Sequence, residues 1–368
     1  MSYGSWSGGI FMIKLDKTNG LRDYTYTFPY EVNGKTATPG AANANCTSDP
    51  YFGKKIAGGY YVSGEASYIQ KIGKYYFLFM SYGELGSDGG YQMRIFRSEN
   101  PDGPYKDCYG TSALFKSYMM NYSSTTADNR GVLLFGGYQW DAMSGAEIAQ
   151  GHNSAFIDKQ NRSFVVYHTR FSNGGEGHQV RVHQLFLNDE GWLMAAPFEF
   201  DGETITDEAI ASKASIADSD IPGDYQFMRH QYGQNTKAKA FETPVNITLN
   251  ADGTITGAEK GTWKRTAGTD YIHLTINNVV YRGVLVKQTI DYTNIPAIAI
   301  SALSSSSGSL IIGQNNFTYQ QEVWAVKADA KAAIKPAAAT AWRKRCKPSP
   351  PPLMWSISRE TNPSLTRP

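Results

Sequence analysis

The chain has 368 residues, a net charge of +2 and 13% aromatic residues, with 36 glycines and 24 tyrosines. This length allows two domains with a sizeable core, and no apolar run approaches the roughly 18 residues that a membrane helix needs. Residues 327–368 carry nine Lys/Arg and two Asp/Glu, so the rest of the chain has a net charge of −5, which gives no support for nucleic-acid binding.

The first 200 residues contain a repeated pattern of alternating strands and Asn/Asp/Gly turns. Three segments run as a strand from a glycine to such a turn: 7–20, 88–103 and 176–191. Each follows another predicted strand, at 1–5, 75–84 and 163–170. The last two copies have a further strand in front, at 65–74 and 152–162. This meander of strands is typical of a β-propeller blade.

The register of the repeat predicts that the chain starts inside a blade. Met80-Ser-Tyr-Gly in the second copy matches Met1-Ser-Tyr-Gly at the start of the chain. In the second copy, a strand that begins at Glu65 precedes this motif. We therefore expect a partial propeller over residues 1–202 whose N-terminal blades are missing.

The pattern of predicted strands and turns changes after residue 202. Residues 203–326 read as short alternating strands with turns such as Asp252-Gly253, which predicts a small β-barrel or β-sandwich domain. Residues 327–368 are rich in Ala, Lys and Pro and are predicted to be a disordered tail. The cysteines are too far apart for a disulfide framework or a zinc ribbon, and the pairing of Cys46 with Cys108 stays open.

Glu65 and His152 occupy matching positions in the two complete copies. The first strand of each propeller blade lines the central channel, so polar residues that open these strands are expected to converge on one axis. A carboxylate facing an imidazole across a channel has the geometry of a site. The alternatives are that Glu65 is a solvated residue at a strand end and that His152 is a structural histidine.

Four motifs resemble glycoside hydrolase family 43, and specifically its endo-1,5-α-L-arabinanases. They are GEASYI with the strand and SYG that follow it, YGSWSGGIFMIKLD, GHNSAF, and YHTRF with the segment HQVRVHQLFLNDEG. The resemblance covers about residues 1–200, and residues 203–326 are similar to the small C-terminal β domain of some members. It implies an all-β fold with a five-bladed propeller and the inverting hydrolysis of α-1,5-linked arabinofuranose. The implied partner is arabinan or an arabino-oligosaccharide, without an obligate protein partner, and the implied location is secreted or periplasmic.

The resemblance also implies roles for individual residues. Glu65 falls on the general acid, and His152 falls on a histidine that holds a calcium ion together with waters. Arg170 and the Ser5-Trp6 turn lie near the channel mouth, where they could contact sugar, although Trp6 could equally pack between blades.

The sequence departs from the family in its second carboxylate. Inverting hydrolysis needs a base about 6.5–9.5 Å from the acid. The aspartates that serve as the base and that raise the pKa of the acid are expected upstream of Met1. Asp16 and Asp102 lie in turns, and Asp49 and Asp88 lie in loops from which one could approach the channel.

Two further interpretations are compatible with these residues. One is a non-catalytic arabinan-binding or inactive propeller fragment, which the presence of Glu65 disfavours, because a binding protein needs no proton donor. The other is a different kind of propeller, but the sequence contains no Asp-box turn of the form SxDxGxxW. The sequence leaves open whether the chain acts on internal or terminal bonds.

Overall fold

The computed structural model describes residues 1–5, 8–38, 46–62, 64–116, 130–230, 239–304 and 321–327. Residues 1–336 form one compact unit. The regular structure of the described part is almost wholly β-strand, which confirms the predicted all-β class, and none of its helices is long and apolar enough to cross a membrane. Apart from Lys327, the predicted disordered tail lies outside the described residues. Cys46 and Cys108 are not joined by a disulfide.

The first sheet has six strands in the order β1-β2-β6-β5-β3-β4. The strands are β1 (Ser2–Ser5), β2 (Gly9–Met12), β3 (Glu31–Val32), β4 (Lys35–Thr36), β5 (Cys46–Asp49) and β6 (Gly53–Ala57). The predicted pair of strands at the start of the chain is the β1–β2 hairpin. Gly9 is required there because its φ is +97° and an added Cβ would lie 2.7 Å from the carbonyl oxygen of Ala57.

The second and third sheets are the two complete copies of the repeat, and each is a four-stranded antiparallel meander. The second contains β7 (Glu65–Ile72), β8 (Tyr75–Tyr82), β9 (Gln92–Ser98) and β10 (Val132–Leu133). The third contains β11 (Glu147–Ile157), β12 (Ser163–Phe171), β13 (Gln179–Leu187) and β14 (Leu193–Ala195). Each predicted three-strand unit therefore has a short fourth strand that the sequence pattern did not reveal.

The C-terminal domain is a closed barrel of eight strands, which decides between the predicted barrel and sandwich. A short helix α1 (Asp207–Ser212), capped by Thr206, and a 3₁₀ turn precede it. The barrel strands are β15 (Gly223–Arg229), β16 (Val245–Leu249), β17 (Thr254–Gly257), β18 (Gly261–Arg265), β19 (Tyr271–Ile276), β20 (Val279–Thr289), β21 (Pro296–Leu303) and β22 (Glu322–Lys327). Closure comes from the antiparallel pairing of β15 with β22.

One hydrophobic core joins the second and third sheets to the outer wall of the barrel. It includes Phe79 on β8, Val165 on β12 and Trp324 on β22, each of them fully buried. A separate core fills the barrel, and a third lies under the first sheet. The barrel is thus packed against the sheets that carry the candidate site.

Candidate active site

Glu65 stands at a break in the ladder between β7 and β8. It pairs with Ser81, but the next paired residue on β7 is Tyr68, and Ala66 between them has a φ of +54°. A bulge of this kind changes the direction in which a side chain projects, and non-glycine residues with positive φ concentrate at functional sites. The Glu65 side chain is 30% exposed, so it is accessible without being fully solvated.

His152 stands at a similar irregularity on β11. It lies within the second of two register shifts, which runs from Gly151 to Ser154, its φ is +50°, and its backbone N–H donates to Ser81 Oγ at 2.8 Å. Its Nδ1 lies 3.9 Å from Glu65 Oε1, so the structure brings the two predicted residues together. The expectation that His152 opens its strand was wrong, because β11 begins at Glu147 with five buried residues, and the bulge alone turns the imidazole outward.

Tyr91 completes this cluster, and the sequence interpretation missed it. Its hydroxyl donates to Glu65 Oε1 at 2.7 Å and lies 3.4 Å from His152 Nδ1. The residue is 2% exposed, and burial, followed by the hydrogen bond to Glu65, raises the pKa of Tyr91 well above 10. The hydroxyl therefore keeps its proton across the physiological range. Tyr91 immediately precedes β9, where nothing in the repeat distinguishes it from the other aromatic residues of the sheet.

Two more histidines extend the cluster along β12 and the loop that follows. The His168 ring stacks on Tyr91 with a centroid distance of 5.7 Å and an interplanar angle of 9°. His178 meets His168 edge to face at 4.6 Å. Burial, followed by the nearby charges of His178, Arg170 and His152, lowers the pKa of His168 to about 4. The imidazole that supports Tyr91 is therefore neutral at pH 7.

Arg170 lies on the same strand and is 4% exposed. Its Nε is 2.8 Å from the carboxylate of Glu176, which also accepts from the Ser87 backbone N–H at 3.0 Å. The hydrogen bond from Ser87 to Glu176 links the loop after β8 to the loop after β12. The Nη1 atom of Arg170 is buried and has no hydrogen-bond partner within the described part of the chain.

The structure does not bring the remaining predicted residues into the cluster around Glu65. Ser5 is exposed at the end of β1, a strand that lies against β7. Trp6 lies outside the described residues. Asp16 and Asp49 bind the backbone of their own turns, through Thr18 N and Tyr51 N, and Asp102 pairs with Lys54 at 2.8 Å. Asp88 is exposed in its loop.

The described residues contain no group of three or more His, Cys, Asp or Glu side chains that could hold a metal ion. Chemically, the cluster offers one accessible carboxyl group held by a permanent donor. A buried guanidinium with spare donors is on the neighbouring strand. This is a set suited to proton transfer and to binding hydroxyl groups.

Comparisons with known proteins show which families and proteins this chain resembles. Residues 52–193 match glycosyl hydrolases family 43, and residues 197–313 match a C-terminal lipocalin-like domain. The chain is 38% identical over 303 residues to an extracellular endo-α-(1→5)-L-arabinanase of Thermotoga petrophila, which covers 78% of this chain and 55% of that protein. It is 34% identical over 317 residues to an extracellular endo-α-(1→5)-L-arabinanase of Bacillus subtilis, covering 83% of this chain and 59% of that protein.

Solved structures give the same result. The crystal structure of an endo-1,5-α-L-arabinanase from Thermotoga petrophila is similar with a TM-score of 0.68 at 36% identity, covering 89% of this chain and 64% of that one. A family 43 glycoside hydrolase from Bacillus licheniformis is similar with a TM-score of 0.68 at 33% identity and the same coverage. The chain thus spans between 55% and 59% of the length of the curated relatives that it matches.

Proposed function

The chain carries a glycoside hydrolase family 43 domain followed by a C-terminal lipocalin-like domain, and from this premise we propose that it contributes to arabinan hydrolysis with Glu65 as the general acid. The observation that carries the assignment is the carboxyl group of Glu65, held by Tyr91 at 2.7 Å. The substrate class is supported by the two curated relatives, both named as endo-arabinanases. We also propose, from the sequence resemblance, that the sheets of this domain belong to a five-bladed propeller.

In this mechanism a protonated Glu65 gives its proton to the glycosidic oxygen as the bond to the anomeric carbon breaks. A second carboxylate takes a proton from the water that attacks the opposite face of the sugar, which inverts the anomeric configuration. We assign this base to a carboxylate outside the described residues. Asp16, Asp49 and Asp102 are occupied in turns or in an ion pair, which supports that assignment, and Asp88, exposed in its loop, is the fourth candidate that the sequence offered.

We propose that Arg170 contributes to substrate binding, as the sequence resemblance implies. Ser5 and Trp6 are proposed as further sugar contacts on the strength of the sequence resemblance alone. The word extracellular in the names of both curated relatives supports a secreted location.

Calcium at His152 is also a proposal. Calcium takes six to eight oxygen ligands, whereas the described part of the chain offers one imidazole and no cluster of three potential ligands around it. These residues do not fit a calcium site built from protein groups, so waters would have to supply most of the shell, and no step of the mechanism is derived through the ion. Titration of the wild type and of His152→Ala with calcium chloride by calorimetry tests the proposal. Equal heats in the two proteins would refute it.

The direct test of the function is the release of reducing sugar from linear 1,5-α-arabinan by the 368-residue chain. Glu65→Gln is the test variant, and Glu99→Gln is the matched control, because Glu99 is an exposed glutamate just beyond β9. We expect Glu99→Gln to keep the turnover that the wild type shows, and Glu65→Gln to show none. Turnover by Glu65→Gln would show that Glu65 is not the general acid.

A folded wild-type chain without turnover would also be informative. Calorimetric binding of an arabino-oligosaccharide would then support the alternative of a non-catalytic arabinan-binding chain. The absence of both turnover and binding would overturn the proposed substrate class for this chain.

A further inference from the structure

The hydroxyl of Tyr91 has a single proton and three polar neighbours. One of them is the side chain of Ser81, which also forms a hydrogen bond with this hydroxyl and has a proton of its own to donate. Glu65 Oε1 is 2.7 Å away, and His152 Nδ1 is 3.4 Å away. A distance of 2.7 Å is normal for a strong O–H···O bond, whereas 3.4 Å is long for a hydrogen bond to nitrogen. The Tyr91 proton therefore points at Oε1, and that oxygen of Glu65 is permanently engaged as an acceptor.

The ring of Tyr91 has little freedom to move away from this position. One face stacks on His168 at 5.7 Å, and the residue is 2% exposed. On another side the chain has Gly151, where an added Cβ would lie 2.2 Å from Tyr91 Cε1. The φ of Gly151 does not lie in the left-handed region, so the absence of a side chain at this position serves to make room for the ring.

We propose that Tyr91 is the positioning residue for Glu65: its hydroxyl holds Oε1, so that the proton given to the glycosidic oxygen leaves from Oε2. This inference rests on the proposed function and adds the identity of the donor oxygen. A proton on Oε1 would meet the Tyr91 proton head-on, whereas a proton on Oε2 leaves Oε1 as an acceptor. When the proton transfers, the glycosidic oxygen keeps the electron pair of the broken C–O bond. Glu65 becomes a carboxylate whose Oε1 still accepts from Tyr91.

The first test needs no turnover. In the full chain labelled with ¹³Cδ-glutamate, the resonance of Glu65 is identified by its loss in Glu65→Gln. Tyr91→Phe keeps the ring and removes the hydroxyl, and we expect it to shift this resonance. The matched control is Tyr105→Phe, because Tyr105 is 1% exposed and its hydroxyl donates to the Pro101 carbonyl at 2.7 Å. An unchanged Glu65 resonance in a folded Tyr91→Phe protein would overturn the proposal.

The second test uses turnover and separates positioning from a structural role. An aryl arabinofuranoside with an acidic phenol needs little help from an acid, whereas an arabino-oligosaccharide needs full protonation of its leaving group. We expect Tyr91→Phe to lower kcat on the oligosaccharide by about tenfold or more, which is part of the 10²–10⁴ that a general acid supplies, and to leave kcat on the aryl substrate nearly unchanged. An equal loss on both substrates would mean a structural role and would refute the proposal.

The two arms also distinguish this inference from the function on which it rests. A wild-type chain that turns over neither substrate contradicts the proposed activity of this chain. The resonance of Glu65 still decides whether Tyr91 holds its carboxyl group.

Discussion

Replacement of Arg181 is expected to destabilise the protein strongly, because its guanidinium pairs with the buried carboxylate of Glu147 and with the partly exposed carboxylate of Glu199. Arg181 lies on β13, and its Nε is 3.2 Å from Glu147 Oε1 and 3.4 Å from Glu199 Oε2. Its Nη2 is 3.4 Å from the Tyr292 hydroxyl of the barrel domain. Arg181 is 6% exposed and Glu147 only 1%. Arg181 therefore compensates a buried charge on the third sheet and also contacts the barrel domain.

The cost of removing Arg181 follows from this burial. Breaking a buried ion pair from one side typically costs about 3–5 kcal/mol, because the remaining charge is left without compensation. Burial already raises the pKa of Glu147 to about 7, while Arg181 opposes that shift. Desolvation, followed by repulsion from Glu199 and Glu147, raises the pKa of Asp291 well above its usual range. We expect Arg181→Met to lower the free energy of unfolding by about 3 kcal/mol or more at pH 8.

The pH dependence gives the prediction a sign. Without Arg181 the pKa of Glu147 rises further, so the folded variant keeps a proton above pH 7 that the folded wild type releases. The unfolded chains both release it. The variant should therefore lose up to about 1.4 kcal/mol relative to the wild type for each pH unit above 7, with a flat difference below pH 7.

Urea unfolding at pH 6, 7 and 8 measures this effect. Lys54→Met is the control, because its ion pair with Asp102 is exposed and surface pairs contribute about 0–1 kcal/mol. The double variant Arg181→Met with Glu147→Gln should recover part of the loss, since the stranded carboxylate is gone. A loss in Arg181→Met as small as that in Lys54→Met, or a constant loss between pH 7 and pH 8, would refute the reasoning.

Three further substitutions test other parts of the structure. Gly151→Ala should lower the free energy of unfolding in urea by about 1–3 kcal/mol, because the added Cβ would lie 2.2 Å from the Tyr91 ring. Gly177→Ala is the control and should be neutral, since no atom lies within 4 Å of its added Cβ. Equal effects of the two substitutions would contradict the packing argument. Burial lowers the pKa of His230 to about 3, so its contribution to stability is present above pH 6.5 and is lost as the pH falls towards 3. His230→Phe should therefore show a weaker fall of the melting temperature between pH 6.5 and pH 3 than the wild type. An equal fall in the two proteins would contradict this prediction. Burial raises the pKa of Glu322 well above 4.5, so its contribution to stability falls as the pH rises. Glu322→Gln should therefore gain stability relative to the wild type between pH 5 and pH 9, as measured by calorimetry. A difference in stability that stays constant over this range would contradict the prediction.

Much of the fold was predictable because alternation and turn chemistry act locally. The β7–β8 hairpin follows from alternating aromatic and apolar residues on each side of Gly73, which has a φ of +59°. The fourth strands, β10 and β14, were missed because two or three residues are too few to show a period. The closure of the barrel depends on a pairing between β15 and β22, which are almost 100 residues apart, and no local pattern records it.

The site shows the same division between local and distant information. Glu65 and His152 could be found because the repeat placed them in equivalent positions, even though the strand of His152 starts earlier than expected. Tyr91 could not be found in this way, since its importance comes from the bulges that bring Glu65 and His152 to its hydroxyl. Gly151 is the one signal that could have pointed to it: a glycine inside a strand often marks the close approach of another group.

The barrel domain supports the sheets, and the packing of the described residues argues against a ligand-carrying role. An eight-stranded barrel is just wide enough either to be filled by side chains or to hold one small ligand. Here the interior is occupied by large buried residues from seven of the eight strands, among them Phe227, Leu249, Leu274, Tyr281 and Ile300. The outer wall supplies Trp324, whose ring packs 5.5 Å from Phe135 at the base of the second and third sheets. Because one apolar core crosses this junction, loss of the barrel would expose the underside of the sheets that position Glu65 and Tyr91, and stability and site geometry should fail together.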